Sequence, residues 1–309
     1  MYELAILARG GVLLTVWAVA AGWSRGRLAG RLRRDGWQGI CRGAWAVPGK
    51  DVDWRVRATA LQFLRPELVC SHGTAARLHR IELLDGTVDP GSLDFTAPAS
   101  SRSTRDPLIR VHATTSLTDK DCATRRGLRV TTPVRTVGDL IRSCGSREEA
   151  VAAADSALAR RAVGGVRREA LVRYEELAAE LAAPRPGARR ARAWLPLTEA
   201  ASGSPAESVA RLRMRDADLF PESQPPLRTA GGPTLRPDFL FRETGLAVEV
   251  EGYAFHGTRR AHERDIARFN ALQSCPEVRR VLRFTAREVF TAPDRMTATI
   301  RTALTSLAT

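Results

Sequence analysis

Two short apolar runs in the last third of the chain are separated by a polar turn. The runs are residues 239–241 and 246–250, and the segment between them ends at Gly245. Apolar runs of this length around a turn that contains glycine predict a β-hairpin. Because alternate residues of a strand point to opposite faces, Glu249 and Glu251 share one face and the neighbouring valines take the other.

Further helical and strand patterns surround this hairpin. Residues 259–273 and 296–307 predict helices, and residues 278–284 form an apolar strand. Ser204, followed by a proline, marks the start of another helix that runs to about Leu219. Together these elements predict a C-terminal domain with a mixed sheet flanked by helices.

The first fifty residues predict helices followed by a hairpin. The predicted helices span residues 2–8, 15–20 and 25–34, and the hairpin spans residues 37–47. In the third helix, Leu28 and Leu32 lie on one face. Arginines occupy its remaining surface: Arg25, Arg27, Arg31, Arg33 and Arg34. This order is typical of a winged helix that places its third helix in the major groove of DNA, and the alternative is an ordinary solvated helix face.

The middle of the chain predicts a small α+β connector of unknown role. Its predicted helices span residues 54–64, 148–161 and 168–182, and its strands span residues 93–97 and 109–113. Two prolines and a glycine within residues 184–187 predict a linker, because proline ends a helix. The pattern therefore predicts a multidomain α+β protein with domains at residues 1–52, 53–183 and 184–309.

Composition points to a polyanionic partner. The formal net charge is +14, with 48 basic and 34 acidic residues, and the pI is about 10.9. Such an excess favours nucleic acid, and double-stranded DNA in particular. Coding bias is an alternative explanation for the preference for arginine over lysine, although it does not explain the excess of basic over acidic residues.

Cysteine usage and hydropathy favour a cytoplasmic protein that does not enter a membrane. The five cysteines are odd in number and irregularly spaced, which indicates neither a disulfide framework nor a zinc site. The apolar run at residues 12–21 is too short to span a bilayer and predicts a buried helix instead.

Acidic residues stand at unexpected positions in the predicted hairpin. Asp238 opens the first strand, and Glu249 lies inside an apolar strand, where an unpaired carboxylate is costly to bury. Carboxylates that crowd together repel one another unless protons or a cation neutralise them. Oxygen-rich clusters suit hard divalent ions, so the sequence predicts a site for Mg²⁺ or Mn²⁺.

The ordered motifs of this region resemble a nuclease family. Pro237-Asp238 followed by Glu249-Val250-Glu251 resembles the core of PD-(D/E)XK nucleases. The next segment, with Gly252 and Phe255-His256, is similar to the very-short-patch-repair endonuclease branch, and later D-x-x-R and V-L-R-F motifs are similar to an uncharacterised domain family grouped with it. The resemblance covers roughly residues 204–304. It implies a restriction-endonuclease-like fold with metal-dependent hydrolysis of phosphodiester bonds.

The resemblance also implies roles for individual residues. Asp238 and Glu249 would hold the metal, and an acidic residue on the first core helix, here Glu207, would complete the set; a capping box at the helix start is the other explanation for Glu207. Glu251 occupies the position of the usual lysine, so His256 becomes the candidate for orienting water, with simple packing as its alternative. Phosphate would be bound by three arginines of the following helix: Arg260, Arg264 and Arg268.

The N-terminal part resembles the winged-helix domain of type IV antitoxins from abortive-infection systems, on the order of its elements and on the stretch from Ser71 to His79. The leading hypothesis is therefore a DNA-binding protein with a metal-dependent endonuclease domain. A second hypothesis is a non-catalytic, antitoxin-like regulator that uses a degenerate nuclease fold for binding. A third is a phage-defence or mobile-element component that acts through protein contacts.

Overall fold

The computed structural model describes residues 3–84, 89, 91–100, 106–229, 232, 234–251 and 259–309, except for the side chains of residues 259–262 and 264. The fold is mixed α+β. Its residues group into two compact units, the first made of Met1–Arg80 and Val88–Asp139 and the second of Ile81–Thr87 and Leu140–Thr309. The boundaries predicted at residues 52/53 and 183/184 stay predictions.

The first unit begins with a three-stranded antiparallel sheet that carries two helices. Its elements are β1 (Val12–Leu14), α1 (Thr15–Ala20), α2 (Arg25–Arg34), β2 (Gln38–Cys41) and β3 (Ala44–Ala46). The strand order is β1-β3-β2. Leu28 and Leu32 of α2 are buried against Leu13 and Trp37, because their spacing places both on one helix face. The predicted helix at residues 25–34 and its apolar face are thus confirmed.

A mixed sheet of five strands completes the first unit. In chain order the further elements are α3 (Trp54–Leu64), β4 (Val69–Cys70), α4 (His72–His79), β5 (Leu93–Pro98), β6 (Ile109–Thr114), β7 (Cys122–Arg125) and β8 (Leu128–Thr131), followed by α5 (Pro133–Ser143), whose last four residues belong to the second unit. The strand order is β6-β5-β4-β8-β7. Helix α3 buries Val56 and Ala60 in the core of the three-stranded sheet and Ala58 in the core of the five-stranded sheet.

The second unit opens with helices and a small hairpin. Its first elements are α6 (Arg147–Leu158), β9 (Arg161–Val163), β10 (Val166–Arg168), α7 (Tyr174–Ala182), α8 (Ala188–Trp194) and α9 (Pro205–Asp216). The helices predicted at residues 148–161 and 168–182 are therefore too long, because a hairpin with a Gly164-Gly165 turn lies between them. Both glycines have positive φ, as a two-residue hairpin turn requires.

The rest of the second unit is a four-stranded sheet with helices on both faces. Its elements are β11 (Glu222–Ser223), β12 (Leu227–Arg228), β13 (Thr234–Leu235), β14 (Phe239–Phe241), β15 (Leu246–Glu251), α10 (Arg259–Gln273), β16 (Arg280–Thr285), α11 (Ala286–Thr291) and α12 (Pro293–Ala308). β12 and β13 pair separately, and the large sheet has the order β11-β14-β15-β16. β15 is antiparallel to β14 and parallel to β16. The predicted hairpin and the mixed sheet flanked by helices are confirmed.

Strand β15 is covered on both faces, as its alternating residues require. Val248 and Val250 face a core that includes Val209 of α9 and Ile300 of α12. Ala247 faces a second core with Leu272 of α10. Glu249 has the same parity as Ala247, so it extends along the α10 face of the sheet.

Two further outcomes concern the predicted elements at the start of the chain. Residues 4–7 form a turn and not the expected helix, and the run predicted as a buried helix at residues 12–21 is divided between β1 and α1.

Among the described residues, no helix has the length and apolar character needed to cross a membrane.

Candidate active site and nucleic-acid interface

The β14–β15 pairing brings Asp238 and Glu249 together. The ladder pairs Phe239 with Val248, so the residue before β14 lies opposite Glu249. The backbone N–H of Asp238 donates to the Glu249 carboxylate. In return, the backbone N–H of Val250 donates to Asp238 Oδ2 at 2.7 Å. These bonds hold both carboxylates at the same end of the hairpin.

Glu207 reaches the same place from the start of α9. Ser204 Oγ accepts from the backbone N–H of Glu207 at 3.2 Å, which caps the helix. The Glu207 carboxylate is not used to close a capping box on Ser204. Its Oε2 accepts instead from the Gly203 N–H at 2.7 Å and from the side chain of Gln224. The capping explanation thus accounts for Ser204 but not for where the Glu207 carboxylate points.

Gln224 links two of the acids directly. Its Nε2 donates to Glu207 Oε2 at 3.0 Å and to Asp238 Oδ1 at 2.9 Å. Its own backbone N–H donates to Asp238 O, and its carbonyl accepts from Arg236. The φ of Gln224 is 47°, a left-handed conformation that residues with a side chain rarely adopt. Local sequence patterns did not predict this residue, because its role depends on contacts with distant segments.

The cluster is buried and carries a strong mutual repulsion. Glu207 is 6% exposed and Asp238 is 8% exposed. Burial, followed by the charges of Glu207 and Glu249, raises the pKa of Asp238 from 3.8 to about 8. Burial likewise raises the pKa of Glu249, although Arg268 opposes the shift. Pairs of carboxylates that raise each other's pKa are common at functional sites.

Arg268 of α10 lies against this cluster. One of its terminal nitrogens lies 3.2 Å from Glu249 Oε1 and 3.1 Å from Oε2, and it also donates to Arg236 O at 2.7 Å. The Arg268 side chain is 41% exposed, whereas that of Glu249 is 16% exposed. Arg268 therefore neutralises part of the acidic charge and still presents a guanidinium surface to solvent.

Glu251 lies in a second group of charges. Arg283 of β16 forms ion pairs with Glu251 and with Asp265 of α10, the latter at 2.8 Å. The Arg283 guanidinium also lies over the Phe269 ring, 5.0 Å from its centroid. The partner of Glu251 is thus an arginine from the neighbouring strand, and not one of the residues that bind Asp238 and Glu249.

Three predicted site residues lie outside the described part of the chain. His256 lies in the segment 252–258, and the side chains of Arg260 and Arg264 belong to the undescribed start of α10. Their predicted roles stay predictions. Of the predicted phosphate-binding arginines of α10, Arg268 is the one whose contacts are described.

The residues present fit a hard divalent ion by their donor chemistry. All the convergent side-chain acceptors of the cluster are carboxylate oxygens, the ligands that Mg²⁺ and Mn²⁺ prefer. A cation would also offset the burial and the repulsion that together raise the pKa of Asp238. Within the described ranges, no group of three or more His, Cys, Asp or Glu side chains is arranged so that it could hold a metal ion as it stands. The amide of Gln224 lies between Glu207 and Asp238.

The arginines of α2 form the candidate nucleic-acid interface of the first unit. Arg25, Arg27, Arg31, Arg33 and Arg34 are all exposed. Arg31 Nε lies 2.5 Å from Asp35 Oδ2, and the guanidinium of Arg33 lies 5.6 Å from the ring centroid of Trp45 on β3. The helix therefore presents a dense positive surface, moderated by one acidic side chain.

Comparison with known proteins gives distant structural similarity. A scan of protein-family models finds none that matches, and no curated protein matches the chain. Among solved structures, the crystal structure of the Rv2827c protein from Mycobacterium tuberculosis is similar with a TM-score of 0.44 and 20% sequence identity. The similarity covers 72% of this chain and 82% of that one.

Proposed function

We propose that the chain is a DNA-binding protein whose second unit hydrolyses phosphodiester bonds with Mg²⁺ or Mn²⁺. The observation that carries this proposal is the proximity of three largely buried acids: Glu207 from α9, Asp238 just before β14 and Glu249 from β15. Such an arrangement costs folding free energy, since like charges repel at low dielectric. A cluster that binds a cation during catalysis explains why this arrangement is present.

In this proposal Glu207, Asp238 and Glu249 hold the ion. When bound, the ion polarises the scissile phosphate and lowers the pKa of an attacking water. Arg268, which is half exposed beside Glu249, binds a phosphate oxygen of the substrate. His256 stays the first candidate for orienting the water, and Glu251 stays the second. Arg283 supplies positive charge near Glu251, where the resembling family has lysine.

DNA binding is assigned to the three-stranded sheet and helices at the start of the first unit. Helix α2 presents exposed arginines on the side away from the buried Leu28 and Leu32, among them Arg27, Arg33 and Arg34. A helix of this kind fits the major groove, and arginines bind both phosphates and guanine edges. The net charge of +14 supports the same partner.

The test is plasmid cleavage by the full chain with Mg²⁺ or Mn²⁺, compared with EDTA and with Glu249→Ala. We expect metal-dependent cleavage that the substitution reduces at least about 100-fold, because a metal ligand is removed. Glu243→Ala is the matched control. Glu243 is an exposed glutamate in the turn of the same hairpin, so its removal leaves the cluster unchanged.

The outcomes separate the proposal from its alternatives. Cleavage that survives in Glu249→Ala would remove the assigned site from the reaction. The absence of cleavage in every metal, together with intact DNA binding, would favour a different function.

A second candidate function is a non-catalytic, antitoxin-like regulator. The observation that favours it is the extent to which protein groups already satisfy the acids: Gln224 bonds two of them, and Arg268 pairs with Glu249. Arg283 pairs with Glu251 in the same way. A regulator of this kind would bind DNA equally well in EDTA and in Mg²⁺, and Glu249→Ala would not alter the affinity.

A further inference from the structure

Two histidines of the first unit stack on each other beside a buried carboxylate. The imidazole of His72, at the start of α4, lies over that of His112 on β6, with ring centroids 3.6 Å apart and planes 19° apart. His112 Nε2 lies 3.1 Å from Oδ1 of Asp94 on β5, and Asp94 is 3% exposed. We call this contact between His72 and His112 the histidine stack. Two positive charges at such a distance repel, so the stack favours at most one protonated ring.

The backbone around His72 fixes the ring in this position. His72 has a φ of 43°, a left-handed conformation that residues with a side chain rarely adopt. Its Nδ1 lies 3.0 Å from Ser71 Oγ, and the backbone N–H of Ser71 donates to Asp94 O at 3.0 Å. Ser71 therefore joins the start of α4 to β5, and the histidine stack joins it to β6.

Strand β6 lies at one edge of the five-stranded sheet, where β5 is its neighbour in the strand order. Ile109 and Val111 pack against the apolar core and are only partly buried. Arg110 and His112 lie on the opposite face of the strand, because side chains alternate. Arg110 Nε lies 4.0 Å from Asp94 Oδ1. The histidine stack is thus a contact between this polar face of β6 and helix α4.

The surroundings of His72 oppose its protonation. Burial is the largest effect and lowers the pKa of His72 from 6.5 to about 4. His112 on β6 and Arg135 on α5 act in the same direction, whereas Asp139 on α5 and Asp94 on β5 favour the protonated ring. The charge of Arg135 is itself paired, since its Nε lies 2.8 Å from Asp139 Oδ2.

We propose that the histidine stack is an acid-sensitive contact that holds the edge strand β6 against α4 and is lost when both rings are protonated. One proton is tolerated on His112, because the carboxylate of Asp94 lies beside it. A second proton, on His72, places two like charges in one stack. Because His72 binds its proton more weakly in the closed structure than in an opened one, its contribution is complete above about pH 6.5 and is lost as the pH falls towards 4.

The test is amide hydrogen exchange of the full chain between pH 7 and pH 4, measured by mass spectrometry and corrected for the intrinsic exchange rate. We expect the protection of β6 to fall by about 100-fold over this range, the factor that follows from a pKa of 6.5 in the opened form and about 4 in the closed form. The protection of α3, in the same unit, should fall much less.

Two variants separate the charge of His72 from its ring. His72→Phe keeps an aromatic ring over His112 and cannot bind a proton, so the protection of β6 should change by less than about tenfold from pH 7 to pH 4. His72→Asn tolerates the left-handed φ but has no ring. It should show the same weak pH response and lower protection of β6 at pH 7.

His79→Gln is the matched control. His79 is a second buried histidine of α4, and its Nε2 lies 2.7 Å from Thr131 O on β8, where the glutamine amide can donate in its place. The acid response of β6 should persist in this variant.

A loss of protection in β6 that His72→Phe removes supports the proposal. It is overturned if β6 keeps its protection at pH 4, if His72→Phe responds to acid as the original chain does, or if α3 loses protection to the same extent as β6. In the last case the whole unit opens. The comparison of β6 with α3 needs no variant, so it decides the question even if both His72 variants fail to fold. None of these outcomes bears on the proposed DNA binding or hydrolysis.

Discussion

The ionised form of Asp238 is favoured by some of its contacts and opposed by others. The backbone N–H of Val250 and the amide of Gln224 donate to its two oxygens, which favours the ionised form. Burial and the nearby charges of Glu207 and Glu249 act in the opposite direction and dominate, since the pKa of Asp238 rises to about 8. Ionisation of all three acids is therefore unfavourable, and a bound proton or cation would relieve it.

This balance predicts an unusual pH dependence of stability without divalent ions. In the folded chain Asp238 keeps its proton up to about pH 8, whereas in the unfolded chain it loses the proton near pH 4. The folded state binds the additional proton, so this group contributes stability that is complete below about pH 4 and is lost as pH rises towards 8. The slope from this group is at most about 1.4 kcal/mol per pH unit.

Denaturant unfolding in EDTA at a series of pH values measures this contribution. Comparison with Asp238→Asn isolates it, because the asparagine does not titrate while the other acids still do. We expect the free energy of unfolding of the original chain, relative to that of the variant, to fall between pH 5 and pH 8. A difference that stays constant over this range would show that Asp238 is ionised at ordinary acidic pH.

Gly187 is a second residue that illustrates this scale, because a single added Cβ atom there is expected to lower stability. It has a φ of 80° at the start of α8, and an added Cβ would overlap the carbonyl oxygen of Arg142 and lie 3.1 Å from its carbonyl carbon. Gly187→Ala therefore adds a backbone collision to the cost of a left-handed alanine. Gly165→Ala is the matched control, because its φ is 75° and, among the described residues, its Cβ meets nothing within 4 Å.

The two variants are expected to differ in stability. Gly165→Ala loses about 1–2 kcal/mol, the cost of a left-handed conformation. Gly187→Ala loses about 1–3 kcal/mol more, since the main chain of Arg142 cannot move away as a flexible side chain would. Chemical denaturation measures both. Equal losses would mean that the chain around Arg142 relaxes without cost.

At the scale of elements, the sequence predicted best those helices and strands that bury one face or both faces. Strand β15 and helix α10 follow from apolar runs and helical spacing, and the structure has α10 at the predicted residues. The β9–β10 hairpin was missed because its strands have three residues each and contain arginines instead of alternating apolar residues. The Gly164-Gly165 pair was the available signal, since two adjacent glycines favour a hairpin turn.

The candidate site was predictable only in part, because local sequence patterns do not show which distant strands pair. Asp238 and Glu249 belong to one hairpin, so their proximity follows from local pattern and turn position. Gln224 and Arg283 enter through pairing between distant strands, which no local pattern encodes. Glu251 pairs with Arg283 and does not join the cluster of the other acids. This arrangement depends on the parallel register of β15 and β16.

Helix α2 is the element on which DNA binding is predicted to depend. We expect the double variant Arg27→Gln/Arg34→Gln to weaken binding to double-stranded DNA and to lower the salt dependence, with a slope of log K against log salt smaller by about 2. The reason is that each lost phosphate contact removes about one released counterion. Fluorescence anisotropy at several salt concentrations measures both quantities.

The control for that experiment changes the same charge in another element of the first unit. Arg125→Gln/Arg126→Gln removes two exposed arginines at the turn between β7 and β8. If this control lowered affinity and slope as much as the α2 variant does, binding would reflect net charge alone, and α2 would not be a defined interface.

At the scale of the whole molecule, two chemistries are assigned to two compact units. The arginines of α2 belong to the first unit, and the acidic cluster belongs to the second. All five cysteines are free, so no disulfide cross-links the chain. The proposed binding of a polyanion and the proposed binding of a cation therefore depend on side chains in different units of one basic protein.

This division predicts that binding and hydrolysis can be lost separately. Glu249→Gln should abolish cleavage in Mg²⁺ or Mn²⁺ and leave DNA affinity in EDTA within about twofold of the original value, because α2 is unchanged. Arg27→Gln/Arg34→Gln should weaken binding while cleavage recovers at saturating protein, because the acidic cluster is intact. Parallel anisotropy and cleavage titrations on the full chain test both halves. Loss of DNA affinity in Glu249→Gln would show that the acidic cluster supports binding itself, and the two units would then share one function.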